Sequence, residues 1–389
     1  MIQYLECFYR EHPMGVMSWE TSRAEGWFEF QPTFWHSDIS FSPLLFPNHL
    51  RSGKPPLLPL GGNKNQTRGL PPFFADALPG KYACTLLDYA LKPSGKSVDT
   101  LSPLAWCSLL GIRGMGVFRF DPSGYPELDA VASVDIGQLV RHTNLLVQSE
   151  KKLSDNRLRE LLRSGLFTVG ETPAAWVSVN DFTGEVISGQ SPAPHGFDAW
   201  VIHLDGVHLQ VEGKRSPDNP RERYAHHQKA LSCGLDVLPC RLIHEGQQTH
   251  VLSKRLDRKG GNPVHVQSYK ALREESGPEA ADSCEGLFRC LRLLRLPYNE
   301  QVEWYKRVVF NGLISNRQDS AEDVFFEYKN DSTWHLASYS GFPPSLSENM
   351  TLNGKSKDWT LDDYRLLGKQ QHIRRFENVI QEISRHVSV

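Results

Sequence analysis

The apolar pattern of the chain changes along its length, and this change limits the folds that the sequence can adopt. Trp27–Gln31 alternates as a strand does, and Lys81–Leu91 carries apolar residues at helical spacing. From about 167 to 252, short strand-like runs such as Trp200–Leu204 are separated by Gly and Pro. From Ser283 onward the pattern is mainly helical. The sequence therefore predicts an α+β fold with a mixed first part, a strand-rich second part and a helix-rich third part.

Length and pattern together divide the chain into three predicted parts. A chain of 389 residues is long enough for two or three folded units, at roughly 100–200 residues per domain. We predict a small N-terminal α+β subdomain over 1–150, a strand-rich lobe over 151–275 and a helical lobe over 276–389. A stretch from about 122 to 152 is the predicted linker between the first two parts.

Composition argues against several classes of protein. Lys and Arg number 43 and Asp and Glu 45, so the formal net charge of -2 gives no overall basic field for non-specific nucleic-acid binding. The 7 cysteines form no CxxC pair, which favours the reduced, buried thiols of a cytoplasmic protein. The first residues contain Glu6, Arg10 and Glu11 rather than the apolar core of a signal peptide. No apolar run approaches the roughly 20 residues of a membrane span, so we expect no membrane partner.

Several short motifs occur in a fixed order along the chain. They are Phe74–Pro79, Leu110–Gly116, Cys233–Val237, Lys254–Arg258, His265–Ser268, Val308–Asn316 and Asn353–Lys355. The ordered set, which covers about residues 25–380, resembles the HipA family of bacterial toxin serine/threonine kinases, whose members pair with HipB-type antitoxins. The resemblance implies a HipA-like fold. In such a fold a small N-terminal α+β subdomain precedes a bilobal protein-kinase-like domain, with a strand-rich N-lobe and a helical C-lobe.

The resemblance also implies where a nucleotide would bind, and the lysines are replaced at those positions. The family's phosphate loop has a lysine a few residues after a glycine; here Gly170 is kept, but Ala174 stands at the lysine position. The family's strand lysine corresponds to His203, which does not carry a full positive charge at pH 7. Gly170, His203, Arg255 and Asp257 are the predicted remnants of a nucleotide pocket. The alternative for Arg255 and Asp257 is an ion-pair cluster at a strand end.

The catalytic and metal positions implied by the resemblance are replaced as well. Gln318 stands at the position of the catalytic base, and Gly341 stands where a metal-binding aspartate is expected. We therefore predict no catalytic residue, no metal and no cofactor, since losing one such group typically lowers the rate by ~10²–10⁴-fold. Asp319 is the one candidate for a replacement base. Asp323 is the one candidate metal ligand, with an exposed acidic turn as the alternative.

These replacements lead to one main hypothesis and two alternatives. The main hypothesis is a pseudokinase, related to toxin–antitoxin systems, that acts by binding and regulation rather than by catalysis. Its expected partner is a HipB-like helix-turn-helix antitoxin or another protein, through which it would reach DNA indirectly. One alternative is a divergent, active serine/threonine kinase toxin that uses Mg-ATP. The other is a nucleic-acid-associated subunit of a larger complex.

Two further groups of residues have an ordinary and a functional interpretation. Arg289, Arg292 and Arg295 are spaced to share one helix face, where a solvated surface is expected and a contact with a phosphate backbone is the alternative. His226 and His227 suggest a metal site, but adjacent residues on a helix point in different directions. We therefore expect these two histidines to lie on a solvated face.

Overall fold

The structure is a computed structural model of the 389-residue chain. It describes residues 2–62, 67–147, 154–165, 168, 172–190, 192–207, 210–211, 214–215, 220–273, 282–315, 320–329, 332–340 and 350–387. The chain divides into two units. The first consists of Met1–Ile39, Asn48–Arg221 and Arg241–His265, and the second of Ser40–Pro47, Glu222–Cys240 and Val266–Val389. Both units contain helices and strands, which confirms the predicted α+β class, while the three-part boundaries stay a prediction.

A five-stranded antiparallel sheet begins the first unit. Its strands are β1 (Ile2–Tyr9), β2 (His12–Glu20), β3 (Glu25–Phe30), β4 (Leu57–Leu60) and β5 (Phe118–Asp121), in the order β4-β3-β2-β1-β5. Strand β3 confirms the alternation predicted at Trp27–Gln31, because Phe28 and Phe30 are buried. The ring centroids of Phe28 and Phe30 are 4.7 Å apart, and Phe74 packs 5.3 Å from Phe28. Aromatic packing of this kind forms the core beside the sheet.

The first unit also contains helices, and those at Pro32–Trp35 and Pro103–Leu110 contact the strands of this sheet. Within the described residues the helices are Pro32–Trp35, Pro72–Ala75, Lys81–Leu91, Pro103–Leu110, Ile136–Val147 and Asp155–Gly165. The predicted helix Lys81–Leu91 is confirmed. The Oγ of Ser102 accepts a hydrogen bond from the backbone N–H of Ala105 at 3.1 Å, which caps the helix that begins at Pro103. That helix ends at Gly111, whose φ of 53° lies in the left-handed region that favours glycine.

The prediction of a linker over about 122–152 is wrong in part, because this stretch contains the helix Ile136–Val147. The Oδ1 of Asp135 accepts a hydrogen bond from the backbone N–H of Gln138 at 2.8 Å and so caps the start of the helix. Its buried apolar residues are Ile136, Leu139, Val140 and Leu146. They form a stripe at helical spacing, which the intervening polar residues obscure in the sequence.

Short strands dominate the middle of the chain. They are β6 (Ala174–Val179), β7 (Val186–Ser188), β8 (Asp198–His203), β9 (Gln210–Val211), β10 (Lys214–Arg215), β11 (Cys240–Glu245), β12 (Gln248–Lys254), β13 (Arg258–Lys259) and β14 (Asn262–Pro263). A five-stranded sheet has the order β11-β12-β8-β6-β7, and β9-β10 and β13-β14 are two-stranded ladders. Strand β6 is buried along its whole length, as expected for a strand covered on both faces. The strand predicted at Trp200–Leu204 is confirmed as β8.

The second unit is mainly helical. Its helices are Pro220–Ser232 (which begins in the first unit), Tyr269–Leu272, Cys284–Leu293, Tyr298–Ser315, Leu361–Gln370 and Phe376–Val387. A three-stranded sheet contains β15 (His265–Ser268), β16 (Phe325–Tyr328) and β17 (Trp334–Leu336). The core includes Trp304, Val308 and Phe310, which are fully buried. The segment Ser40–Pro47 joins this unit, and the Oγ of Ser40 accepts a hydrogen bond from the Trp334 indole N–H at 3.1 Å.

The cysteines confirm the prediction of buried thiols. All of them are free, and all except Cys240 are fully buried. Burial raises the pKa of Cys7 and Cys107, so these thiols stay protonated and apolar. Within the residue ranges given above, no helix has both the length and the apolar character that crossing a membrane requires.

Candidate functional site

The two positions at which the resemblance places phosphate-binding lysines are neighbours in the second sheet. Ala174 of β6 is the direct cross-strand partner of His203 of β8, and His203 is also paired with Val251 of β12. Side chains of directly opposed residues in an antiparallel pair lie on the same face, with Cβ atoms roughly 4.5–5.5 Å apart. Ala174 is buried and His203 is half-buried. At this place the sheet therefore carries one imidazole between two small apolar side chains and no lysine.

The lysine of the neighbouring strand lies on the other face of this sheet. Lys254 of β12 is paired with Trp200 of β8, and side chains three residues apart on a strand point to opposite faces, so Lys254 and His203 are on opposite sides. The Nζ of Lys254 lies 2.6 Å from the Oδ2 of Asp198 and 4.7 Å from the Trp200 ring centroid. Lys254 therefore forms a local ion pair and a cation–π contact away from the Ala174–His203 position.

Arg255 and Asp257 form a buried ion-pair cluster with Arg258. The carboxylate of Asp257 accepts hydrogen bonds from the Nε and Nη2 of Arg255 at 2.9 and 2.7 Å, and from the Nη1 of Arg258 at 2.6 Å. It also accepts one from the backbone N–H of Gly116 at 2.9 Å. The alternative given above for Arg255 and Asp257, an ion-pair cluster, is confirmed. A direct contact of these residues with a nucleotide stays a prediction.

The cluster links distant segments of the first unit. The Nη1 of Arg255 donates to the carbonyl of Gly189 at 2.7 Å, and its guanidinium lies 3.7 Å from the ring centroid of Trp176. The Nη1 of Arg258 donates to the carbonyl of Gly116 at 3.1 Å. A β-carbon at Gly189 would lie 2.6 Å from backbone atoms of Val177, so the strand can approach this closely only with glycine. The sequence analysis did not identify Trp176 and Gly189 as partners of Arg255. The one feature of the sequence that could have indicated this contact is a glycine directly after a strand.

The charges of the cluster hold Asp257 ionised. Burial alone would raise the pKa of Asp257, but the adjacent positive charges of Arg255 and Arg258, together with the hydrogen bonds, lower it to about 2. Burial lowers the pKa of Arg258 to about 10, which still leaves it charged at neutral pH. Asp257 and Arg258 are therefore charged under physiological conditions, and the Asp257 carboxylate satisfies both guanidinium groups inside the protein.

In the second unit a buried polar contact lies near the end of the helix that precedes Gln318, the residue at the expected position of the catalytic base. The Tyr339 hydroxyl donates to the Oδ1 of Asn311 at 2.8 Å, and Asn311 is fully buried. The Nη2 of Arg307 donates to the carbonyl of Ala337 at 2.9 Å. These bonds fix the helix Tyr298–Ser315 against the segment that follows β17. In the sequence neither contact is visible, because the partners are about thirty residues apart and their spacing follows no motif.

Asp323 closes a turn that begins at Ser320. Its Oδ2 accepts hydrogen bonds from the backbone N–H and the hydroxyl of Ser320 at 2.9 and 2.7 Å, and Asp323 is exposed. This geometry agrees with the exposed acidic turn named above as the alternative to a metal ligand. Among the residues that the structure describes, no group of three or more His, Cys, Asp or Glu side chains is arranged to hold a metal ion.

Four of the residues singled out in the sequence lie outside the described residues: Gly170, Gln318, Asp319 and Gly341. The interpretation of His226 and His227 as a solvated face is wrong, because both are buried. The His226 ring packs edge-on 5.1 Å from that of Phe310, and the Nε2 of His227 lies 2.8 Å from the carbonyl oxygen of Leu238. These histidines are therefore part of the packed interior of the second unit.

Comparison with protein families and solved structures shows which proteins the chain is similar to. A family model of the HipA-like C-terminal domain matches residues 179–388, which is more than half of the chain. The chain belongs to the HipA family. A solved structure with a similar fold is HipA of Shewanella oneidensis MR-1, in a complex of the toxin–antitoxin proteins HipA and HipB with operator DNA. The TM-score is 0.62 with 13% sequence identity, and the match covers 98% of this chain and 88% of that one. A search of curated protein sequences finds no match.

Family membership and the fold agree with the resemblance inferred from the ordered motifs. At 13% identity the solved HipA supports the fold and nothing about individual residues. The roles of Ala174, His203, Arg255 and Asp257 in this HipA-family chain therefore depend on its own geometry, as described above.

Proposed function

We propose that this HipA-family protein is a pseudokinase that acts as a binding and regulatory component related to toxin–antitoxin systems. The observation that carries the proposal is the pairing of Ala174 with His203 across β6 and β8. Phosphoryl transfer depends on positioning and on neutralising the charge of the phosphates. With alanine and histidine at both lysine positions, this part of the sheet provides no fixed positive charge for a triphosphate.

The charged residues at the end of β12 and just after it have structural partners. Arg255, Asp257 and Arg258 neutralise one another in the interior, and Lys254 is paired with Asp198. Moving Arg255 or Arg258 onto a ligand would leave the buried Asp257 without its counter-charge. The Lys254–Asp198 pair is partly exposed, but Lys254 lies on the opposite face of the sheet from His203. These cations are therefore poor substitutes for the two replaced lysines, which supports a binding role over catalysis.

The proposed partner is a HipB-like helix-turn-helix protein. The solved HipA of similar fold is found with HipB and operator DNA. The formal net charge of -2 on the present chain argues against a strong overall attraction to DNA, so we propose that the protein reaches DNA through its partner. We place this complex in the cytoplasm.

Nucleotide binding provides the first test. If Mg-ATP bound to the folded protein, a concentration of 100 times Kd would stabilise it by about 2.7 kcal/mol, which raises Tm by several degrees. Relative to MgCl2 with matched ionic strength, we expect no rise of this size that His203→Gln removes, and no transfer of labelled γ-phosphate to the chain or to candidate protein substrates. Robust transfer that is abolished in Asp319→Ala would establish instead the divergent active kinase.

Partner binding provides a second, independent test. The chain is co-expressed with a helix-turn-helix protein encoded beside it, and the complex is isolated by size-exclusion chromatography. We expect a stable complex that retards operator DNA, and no retardation by the isolated chain. Strongly salt-dependent retardation by the isolated chain would instead support the nucleic-acid-associated subunit.

A further inference from the structure

A concave pocket in the second unit is lined by positively charged and neutral polar side chains. It has a volume of about 700 Å³, which lies in the range of small-molecule sites. Its lining consists of the guanidinium groups of Arg292 and Arg374, the imidazole of His372, the carboxamides of Gln301, Gln370 and Gln371, and the ring of Tyr298. No carboxylate belongs to this lining, so an anion in the pocket would meet no repulsive side chain.

Three helices and one loop build the pocket. Arg292 lies in the last turn of the helix Cys284–Leu293, and Tyr298 is the first residue of the helix Tyr298–Ser315. Gln370 ends the helix Leu361–Gln370, and the loop that follows contributes the other groups. The N-terminus of the long helix thus faces the same space, and its partial positive charge adds to that of the arginines. Arg292 belongs to the basic group that the sequence suggested as a phosphate contact.

The arginines of the pocket are held in place by neutral groups. The Nη1 of Arg292 donates to the Oε1 of Gln371 at 2.9 Å. The backbone N–H of Arg374 donates to the hydroxyl of Tyr298 at 2.5 Å, and the Arg374 guanidinium lies 5.9 Å from the Tyr298 ring centroid. In the described part of the chain, no ion pair connects Arg292 or Arg374 to a carboxylate. The guanidinium of Arg292 is therefore oriented by a neutral amide, and both arginines are exposed to a ligand without a carboxylate partner among the described residues.

Basic side chains near helix C-termini commonly stabilise the negative end of the helix dipole, which would be a purely structural reason for Arg292 at this place. Here backbone groups satisfy the final turns. Leu296 N–H donates to the Leu291 carbonyl at 2.9 Å, and Ile373 N–H donates to the Gly368 carbonyl at 2.9 Å. Arg292 donates to a side-chain amide rather than to these carbonyls. Capping of the helix ends therefore does not explain the orientation of Arg292.

We propose that this pocket binds a small phosphate-bearing ligand, with Arg292 and Arg374 contacting the phosphate oxygens. A guanidinium presents a planar fork of donors that matches phosphate oxygens, and its attraction to an anion is enhanced inside a concave site. The exposed ring of Tyr298 and the three carboxamides offer stacking and hydrogen bonding to the rest of the ligand. The ligand chemistry is a diphosphate, either free or as part of a nucleoside diphosphate.

Isothermal titration with pyrophosphate at constant ionic strength tests the proposal on the full chain. We expect saturable binding that weakens at least 10-fold in Arg292→Gln and in Arg374→Gln. The matched control is Lys369→Gln, which removes an exposed charge from the helix Leu361–Gln370 at a residue outside the pocket lining, and it is expected to change the affinity less than 2-fold. Arg292→Lys, which keeps the charge but loses the fork, is expected to lie between the native chain and Arg292→Gln.

The outcomes separate the possible sources of the diphosphate. Tighter binding of ADP than of pyrophosphate, again weakened by Arg292→Gln, supports a nucleoside diphosphate; equal affinities support the free anion. The proposal is overturned if the native chain binds neither pyrophosphate nor ADP while its circular dichroism spectrum shows that it is folded. An equal loss of affinity in Lys369→Gln also overturns it, since it would indicate general charge attraction. Tighter binding of an oligonucleotide, with no competition from pyrophosphate, overturns it as well.

Discussion

Ala174 and His203 are direct cross-strand partners, so the two replaced lysine positions meet at one place on one face of the sheet. Ala174 is only 2% exposed, and Val251 flanks His203 on its other side. The loss of positive charge is therefore concentrated rather than scattered. Two independent surface substitutions would not have this local effect, because screened charges far apart influence a ligand only weakly.

Restoring one of these charges is expected to leave the protein inactive. In His203→Lys, the opposite position is still Ala174 and the catalytic position is still Gln318. A general base typically contributes ~10²–10⁴-fold to a reaction, so one cation cannot replace it. We expect no transfer of labelled γ-phosphate from Mg-ATP by His203→Lys, measured beside His203→Gln as a neutral control. Phosphate transfer by His203→Lys but not by His203→Gln would mean that the site is otherwise complete and lacks only this one cation.

Asp257→Asn is expected to destabilise the first unit strongly. The substitution leaves the buried Arg255 and Arg258 without their counter-charge, and breaking a buried ion pair in this way typically lowers the free energy of unfolding by about 3–5 kcal/mol. Urea denaturation followed by circular dichroism measures the change. Since the chain has two units, hydrogen exchange in β6, which carries Trp176 beside Arg255, identifies the unit that is destabilised.

The matched control for Asp257→Asn is Asp181→Asn. Asp181 is paired with Arg241 at 2.5 Å, but both side chains are about half exposed. Exposed pairs contribute roughly 0–1 kcal/mol, so this variant is expected to stay within 1 kcal/mol of the native chain. Equal effects of the two substitutions would contradict the importance of burial for the Asp257 cluster.

The sequence predicted the charged motif but not the way in which it is used. Arg255 and Asp257 are two residues apart, and their pairing could be suggested from spacing alone. The hydrogen bonds to Gly116 and Gly189 join segments 141 and 66 residues away, and no local pattern encodes such contacts. The α+β class was predictable because strand and helix periodicities are local. The buried histidines and the helix Ile136–Val147 were missed because tertiary packing buries polar residues that read as exposed.

Stability should decrease as the pH falls below about 6.5, in part because of His265. Burial lowers the pKa of His265 to about 3, while the unfolded chain titrates at its ordinary value of 6.5. Its Nδ1 is 3.0 Å from the Tyr9 hydroxyl, and the nearby charge of Arg10 also opposes protonation. Between these two pKa values the unfolded state binds the extra proton, so stability is present above about 6.5 and is lost progressively toward pH 3.

His265→Gln measures this contribution. From pH 7 to pH 5 the native chain is expected to lose about 2 kcal/mol more than His265→Gln, following the slope of roughly 1.4 kcal/mol per pH unit for one proton. His142 and His250 also have pKa values lowered by burial, but they are present in both proteins and cancel in the difference. Parallel pH profiles for the two proteins would exclude His265 as the titrating group.

Tyr339→Phe is expected to lower the free energy of unfolding of the second unit by about 1 kcal/mol. The substitution removes only the hydroxyl that donates to Asn311, and a typical buried hydrogen bond contributes about 0.5–1.5 kcal/mol. Tyr125→Phe serves as the control, because Tyr125 is 37% exposed and its hydroxyl can bond to water. Urea unfolding of both variants measures the difference. Since the bond holds the end of the helix Tyr298–Ser315, hydrogen exchange in its last turn should rise in Tyr339→Phe and stay unchanged in Tyr125→Phe. Unchanged exchange in both variants would show that other contacts alone fix this helix end.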